Sequence, residues 1–410
     1  MNSSAKDPIY GWVMVGVAFT LTALSFGALG SISVFLKPLS QEFGWTRGET
    51  SFGYTAIALS SALFGLLWGY IADRFGTRWL GLMGAVVMTV SLYLLSEQRS
   101  LYQFYAFYFL FGAFGNSAVG LLFANVGFWF KRHPGLALGI TASGSAIGQG
   151  VIPFLVGLGL SNYGWQSTYA IMAWSYLIIA VPISLLVRES PSRRIARTSD
   201  FVDDRDFPVS EMEVVLWISV AVLFCCNTMS VPIVHLVPLL TDIGNSTEVA
   251  TSVLLVLMLS GALGRILGGK LGDSVGALPA YMMMSLGQTV FVFWFPLTEN
   301  LALVYLLAVL FGFTYSGVMS AILVCSRMMI SARFVGRAMS LSGIFGWLGM
   351  GMGGFVAGLF YDLHTDYVWS FRYASMMGIM NLIVLSMFNM RIKKKRNSSY
   401  ATSLVNPNVA

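Results

Sequence analysis

Residues 61–76 read SALFGLLWGYIADRFG, and residues 261–276 read GALGRILGGKLGDSVG. Laid over each other at an offset of 200, positions 62–76 agree at six of fifteen: Ala62/Ala262, Leu63/Leu263, Leu67/Leu267, Gly69/Gly269, Asp73/Asp273 and Gly76/Gly276. The same offset sets Leu101, Tyr105, Leu110, Phe111 and Gly112 over Leu301, Tyr305, Leu310, Phe311 and Gly312. Apolar identities recur by chance in such sequence, but coincident Asp and Gly in equivalent turns are harder to obtain that way. The spacing predicts two parallel repeats, an arrangement in which one half rocks against the other around a central site.

Both stretches are poor in charge, and the whole chain follows them. Of 410 residues only 24 are Lys or Arg and 18 are Asp or Glu, against 56% apolar residues, 43 Gly and a mean hydropathy of +0.74. Soluble domains carry roughly a quarter charged residues, so this chain cannot wrap its apolar surface and stay in water. That excludes a soluble enzyme, a disordered chain and a nucleic-acid binder. What remains is an all-α polytopic membrane protein, with the lipid bilayer as its solvent.

A bilayer-spanning helix needs roughly 20 mostly apolar residues. Twelve such runs are predicted, near 11–35, 50–72, 79–96, 101–129, 135–160, 167–187, 213–240, 248–270, 278–297, 301–328, 337–361 and 368–390. Connections are short except for RESPSRRIARTSDFVDDRDFPVSEM at 188–212, so the spans divide six plus six. The expected units are an N-terminal six-helix bundle over 1–190, a cytoplasmic linker over 191–212, a C-terminal six-helix bundle over 213–395 and a disordered tail over 396–410. Gly11 to Phe35 is too long for a signal-peptide apolar region and lacks a small-residue cleavage site, so no cleavable leader is expected. With the N-terminus inside, nineteen Lys and Arg fall on the inner side, among them Lys6, Arg74, Arg78, Lys131, Arg132, Arg188, Lys270, Arg333 and Arg391. Only four, Lys37, Arg47, Arg99 and Arg372, fall outside. The positive-inside rule then places both termini in the cytoplasm, as expected for a multi-pass protein of the cell (inner) membrane. Cys225, Cys226 and Cys325 fall within spans and read as small apolar filler.

The turn after the second span, Gly69-Tyr-Ile-Ala-Asp73-Arg74-Phe-Gly76-Thr-Arg78, resembles the cytoplasmic signature of the major facilitator superfamily, with Thr77 in place of one basic residue. Gly269-Lys-Leu-Gly-Asp273-Ser-Val-Gly276 is a degenerate second copy. Physical chemistry supports a gating motif. Gly69 permits close helix approach, Asp73 can accept from a helix N-terminus, and Arg74 and Arg78 can pair across the inner face when the halves close.

A narrower signal lies at the fifth span. Phe128-Trp-Phe130-Lys131-Arg132-His133-Pro-Gly-Leu136-Ala137-Leu-Gly139, continued by Ala142-Ser-Gly144 and Gly148, is similar to the signature of the monocarboxylate transporter family. Asp7-Pro-Ile-Tyr10-Gly11-Trp12, Val34-Phe35-Leu-Lys37 and the stretch His235 to Gly244 also resemble that family, the last its bacterial members. The glycines read equally as a small-residue stripe on which the fifth helix packs and slides.

Arg265 stands eight residues before Asp273, about 12 Å along a helix axis and so near mid-depth of a half-bilayer of about 15 Å. A cation there is costly unless it faces a polar cavity or a partner, and no acidic residue falls inside a span to pair with it. Its repeat-mate is Gly65, so symmetry does not demand a charge. The resemblance implies that an eighth-helix Arg binds the substrate carboxylate, and the guanidinium fork suits that geometry.

Two departures bear on coupling. Proton-coupled members carry an Asp one turn before that Arg, where this chain has Gly261, and a Lys in the first helix, where this chain has Gly27 to Ser31. His235 is the substitute proton carrier by titration range, or equally an interfacial packing residue. Asn116, Asn227 and Tyr315 are the further substrate-lining candidates, and Asn116 and Tyr315 are nearly repeat-equivalent. The expectation is a secondary transporter of a small-molecule carboxylate, with H+ as candidate co-substrate, moving by rocker-switch alternating access. The rival readings are an organic-anion exchanger of oxalate–formate type and a non-transporting sensor of transporter fold. No metal site, cofactor, nucleic-acid partner or obligatory protein partner is expected. Motifs of an enzyme, such as HExxH or a Ser-His-Asp set, are not found.

Overall fold

With no water in the bilayer core, a spanning segment must satisfy its own backbone, so apolar runs of this length fold as helices. The computed structural model describes residues 8–75, 78–116, 122, 125–130, 134–190, 207–331 and 335–405. The first helices are α1 (Ile9–Phe43), α2 (Arg47–Phe75), α3 (Arg78–Ser96) and α4 (Leu101–Leu110), which continues as a π-helical turn over Phe111–Asn116. The long helix Pro134–Leu185 is broken at Gly164, with φ 76° and ψ 174°, into α5 (134–163) and α6 (165–185). The remaining helices are α7 (Glu211–Asp242), α8 (Thr247–Val275), α9 (Ala277–Trp294), α10 (Leu301–Met329), α11 (Val335–His364) and α12 (Val368–Val405). Ten helices among the described residues are long and apolar enough to cross a membrane. One of these crosses twice because of the break at Gly164, and α4 supplies the twelfth crossing.

The helix ends are set by chemistry legible in the chain. Ser100, Ser210 and Ser246 each accept a hydrogen bond from a backbone N–H three residues on, and Asn300 caps α10 in the same manner. Gly44 closes α1 in the left-handed conformation, φ 69° and ψ 17°, which a residue with a Cβ seldom adopts. The disordered tail predicted from 396 is corrected over its first ten residues, since α12 runs on to Val405. Nothing from Arg391 onward breaks a helix until Pro407, which also disfavours helix in the residue before it. The tip of α12 is moored near its cytoplasm-predicted end by Arg391 and Lys395, which reach Glu213 at 2.9 and 2.8 Å.

The repeat has a physical basis in helix packing. A Cβ on Gly112 of α4 would lie 2.6 Å from the Ile57 carbonyl of α2, and one on Gly312 of α10 would lie 2.0 Å from the Leu257 carbonyl of α8. The serines facing them, Ser60 and Ser260, stand at the same offset. In each half, then, a backbone-on-backbone crossing fixes the same helix pair. Gly144 and Gly148 of α5 similarly lie flat on α1, where added Cβ atoms would meet the Phe19 and Ala23 carbonyls at 2.5 and 2.0 Å. Helices α1–α6 and α7–α12 thus form two halves, joined mainly by α2 against α11 and α5 against α8.

Candidate functional site

Arg265 lies on the α8 face that turns from its own half toward α5. Gly264 and Gly268 press α8 onto α10, where added Cβ atoms would meet the Phe313 carbonyl at 2.0 Å and the Gly317 Cα at 2.7 Å. Ser320 of α10 donates to the Arg265 carbonyl at 2.8 Å, which pins the rotation of α8 at this level. The guanidinium is then delivered across the seam between the halves. Its Nη1 donates to the Ala142 carbonyl at 2.5 Å and to Ser145 Oγ at 2.9 Å, both on α5. Its Nε is buried and has no hydrogen-bond partner. One edge of the fork is therefore spent on the protein, while the Nε edge is left unpaired. Tyr315 of α10 lies beside Arg265, and the α5 acceptors bring the other half into the centre. Tyr54 Oη is also buried without a partner.

The other sequence-predicted residues divide. Tyr315 joins Arg265. Asn116 does not: it accepts from Ser25 at 2.7 Å and donates to Ser61 at 2.9 Å, so it ties α4 to α1 and α2 within the first half. Asn227 is buried in the seam between α7 and α11, where a Cβ on Gly353 would meet its carbonyl at 2.4 Å; its Oδ1 is unpartnered. His235 is also buried between those helices, with Nε2 2.7 Å from the Gly354 carbonyl, Nδ1 unpartnered and its ring 5.4 Å from that of Tyr367. No contact joins either residue to Arg265 among the described residues.

The gating motif lies at the end of the bundle that carries both termini, hereafter the terminal end. An added Cβ on Gly69 meets nothing within 4 Å, and the same holds for Gly65 and for Gly269 in the second copy. The close helix approach expected at Gly69 is not made in this conformation, because the halves stand apart at that end. Arg74 is exposed but engaged in an interaction, and Arg78 is exposed at the start of α3. Gly76 lies outside the described residues, as do the side chains of Asp73 and Asp273.

At the opposite, distal end the halves are clasped by residues to which the sequence assigns no site role. Asp362 of α11 accepts from the backbone N–H groups of Arg47 and Gly48, both at 2.7 Å. Thr46 and Glu49 form a reciprocal capping box at the same helix start, at 3.1 and 2.8 Å. The orphan donors at the start of α2 are thus shared between its own half and the other half. Asp242 of α7 takes Lys37 of α1 at 2.7 Å and the Arg47 side chain at 3.2 Å. The only sequence signal available was the Thr46-x-x-Glu49 capping box. The partner carboxylates lie about two hundred to three hundred residues away and carry no local mark.

Comparison with known proteins agrees with this geometry. A family model described as the Major Facilitator Superfamily matches residues 18–215 and 216–406. The chain is 22% identical over 384 residues to the uncharacterized MFS-type transporter YcxA of Bacillus subtilis, covering 88% of this chain and 91% of that protein. It is 26% identical over 326 residues to monocarboxylate transporter 13 of Rattus norvegicus, covering 76% and 73%. Among solved structures, a bacterial homolog of the human lysosomal transporter Spinster, in an inward-facing and unoccupied conformation, superposes with a TM-score of 0.71 at 16% identity, covering 95% and 98%.

Proposed function

The chain belongs to the Major Facilitator Superfamily, and from that premise we propose that it carries a small organic anion with a single carboxylate. It is a multi-pass secondary transporter and not an enzyme. The observation that carries the substrate reading is Arg265, a mid-membrane cation whose Nε edge is unpaired and which has no acidic partner among the described residues. A carboxylate fits that edge as a charge-assisted pair. A rat relative named as a monocarboxylate transporter, and the likeness at the fifth span, support the same class.

In this reading the terminal end is cytoplasmic, by the excess of Lys and Arg there, and the membrane is the cell (inner) membrane. The clasped distal end faces outward, and the open seam at the terminal end faces inward. Alternating access breaks the clasp at Asp362 and Asp242 while bringing Gly69 and Gly269 against the opposite half. Substrate on the Nε edge shares one guanidinium with the Nη1 bonds to α5, which links occupancy to the seam between the halves. In the same reading His235 carries the proton, since its buried Nδ1 has no hydrogen-bond partner.

The test is uptake of radiolabelled lactate or pyruvate into liposomes holding the purified protein. Uptake is expected for wild type and is lost in Arg265→Ala; unchanged uptake in that variant overturns the assignment. Dependence on an inward proton gradient, lost in His235→Gln, is the expected coupling signature. Counter-flow without net uptake decides for exchange instead.

A further inference from the structure

At the terminal end of the first half, three helix ends surround a cavity of about 470 Å³ that plays no part in the route past Arg265. Arg78 and Trp79 line it from the start of α3, Tyr10 from α1, and Leu185 from the last turn of α6. Leu186, Arg188 and Glu189, just beyond α6, complete it. The Tyr10 hydroxyl donates to the Leu186 carbonyl at 2.6 Å, and the Arg188 guanidinium lies 4.5 Å over the Tyr10 ring. Tyr10 therefore fixes one cation in place by its face and anchors the chain below by its edge. Arg78 makes no ion pair or hydrogen bond among the described residues, although it belongs to the motif expected to latch the two halves. All the cavity-lining groups come from the first half, so Arg78 points to a site within that half.

The rim of the cavity is apolar and bare. Trp79 is 71% exposed, Leu185 55% and Leu186 49%, at the tips of helices that cross the membrane. Apolar residues at such positions face acyl chains, and an exposed Trp at a helix tip stands at headgroup depth. The lining thus combines two guanidiniums and one carboxylate, Glu189, beneath a lipid-facing apolar rim. Two guanidiniums suit a phosphodiester with one negative charge, since their forks match phosphate oxygens.

We propose that this cavity binds the headgroup of an anionic phospholipid of the leaflet at the terminal end, with Arg78 and Arg188 on the phosphate and Trp79 and Leu185 against the acyl chains. The site rests on the membrane-spanning architecture alone and is independent of the substrate read for Arg265. Phosphate chemistry is shared by lipid headgroups and free phosphate, and the apolar rim selects the lipid.

Native mass spectrometry of the full chain released from nanodiscs of equal phosphatidylglycerol and phosphatidylcholine reads the preference directly. One retained phosphatidylglycerol per chain, favoured about thirtyfold over phosphatidylcholine, is the size expected of two juxtamembrane cations at about 1 kcal/mol each. Equal retention of the two lipids overturns the proposal, whatever any variant does. The Arg78→Gln/Arg188→Gln double variant should lose the preference, and a variant that retains it also overturns the proposal. Should the double variant not fold, Arg78→Lys/Arg188→Lys takes its place, expected to keep the charge preference and weaken retention severalfold. Arg372→Gln is the matched control: that cation lies 4.9 Å over Trp369 at the distal end, and the preference should survive its loss. Millimolar inorganic phosphate should not displace the bound phosphatidylglycerol. Full displacement shows a soluble-phosphate site and overturns the lipid assignment.

Discussion

The same four helices, α2, α5, α8 and α11, behave oppositely at their two ends. At the distal end their glycines are pressed against the other half. Added Cβ atoms would meet Arg47 O at 2.8 Å from Gly358, Thr55 Cγ2 at 3.2 Å from Gly351, and Thr251 Oγ1 at 2.8 Å from Gly157. At the terminal end Gly65, Gly69, Gly139, Gly269 and Gly343 meet nothing within 4 Å. Small residues cluster at membrane helix interfaces because they let backbones approach. A glycine facing empty space therefore marks an interface that this conformation does not use. The two sets amount to two seams, of which one is closed and the other open. Arg265 sits where they meet, and its Nη1 bond to α5 is among the contacts that cross between the halves there.

Removing that cation should break the comparison most severely. Arg265→Ala deletes a cross-half bond and the anchor proposed for the carboxylate. Hydrogen bonds to a charged group contribute about 1.5–3 kcal/mol each, so losing a bidentate pair predicts a drop of at least about a hundredfold in uptake efficiency. Arg265→Lys, which keeps charge but not the fork, should recover only part of it.

The next effect is asymmetric between the seams. Gly358→Leu drives a side chain into Ser51 and the start of α2, and overpacking of this kind costs about 1–3 kcal/mol. A cysteine at the buried position Ala58 should then react about tenfold faster with a membrane-impermeant maleimide added to the distal side. Background is low because Cys225, Cys226 and Cys325 are all buried. Gly69→Leu should do the reverse. Its thermal midpoint should stay within about 2 °C of wild type, since its Cβ meets no neighbour, while uptake falls severalfold because the terminal seam cannot close. Equal melting and equal uptake would show that Gly69 never enters an interface.

The two seams also differ in how far the sequence discloses them. The repeat, the twelve crossings and the exceptional position of Arg265 are readable because they rest on periodicity, hydropathy and charge, which act locally. The pairing of Gly112 with Gly312 foreshadowed the α2–α4 and α8–α10 crossings, since a glycine at a tight crossing leaves a trace in each repeat. The distal clasp was illegible. Lys37 and Arg47 look like two stray cations on the sparsely charged side, and their partner Asp242 becomes visible only when α1, α2 and α7 converge. Asn116 is ambiguous for the opposite reason: a polar residue inside a span reads as cavity-lining, and the bonds to Ser25 and Ser61 from neighbouring helices leave no mark in its own stretch of sequence. Residues 396–405 misled because polarity signals disorder, whereas an uninterrupted helix needs only the absence of a breaker.

The distal clasp predicts two smaller effects, and their ratio tests how it works. Asp362→Ala removes the acceptor for two backbone donors at the start of α2, a helix-capping loss of about 1 kcal/mol. That converts to about fivefold more labelling at position 58 from the distal side. Lys37→Ala should change it less than threefold, since a partly exposed ion pair contributes about 0–1 kcal/mol and Asp242 keeps Arg47 at 3.2 Å. If the clasp were held by charge attraction in general, the two variants would act alike and both would weaken with salt. Because Asp362 acts on backbone N–H groups that have no other protein acceptor, its effect should persist in 0.5 M salt while that of Lys37 vanishes.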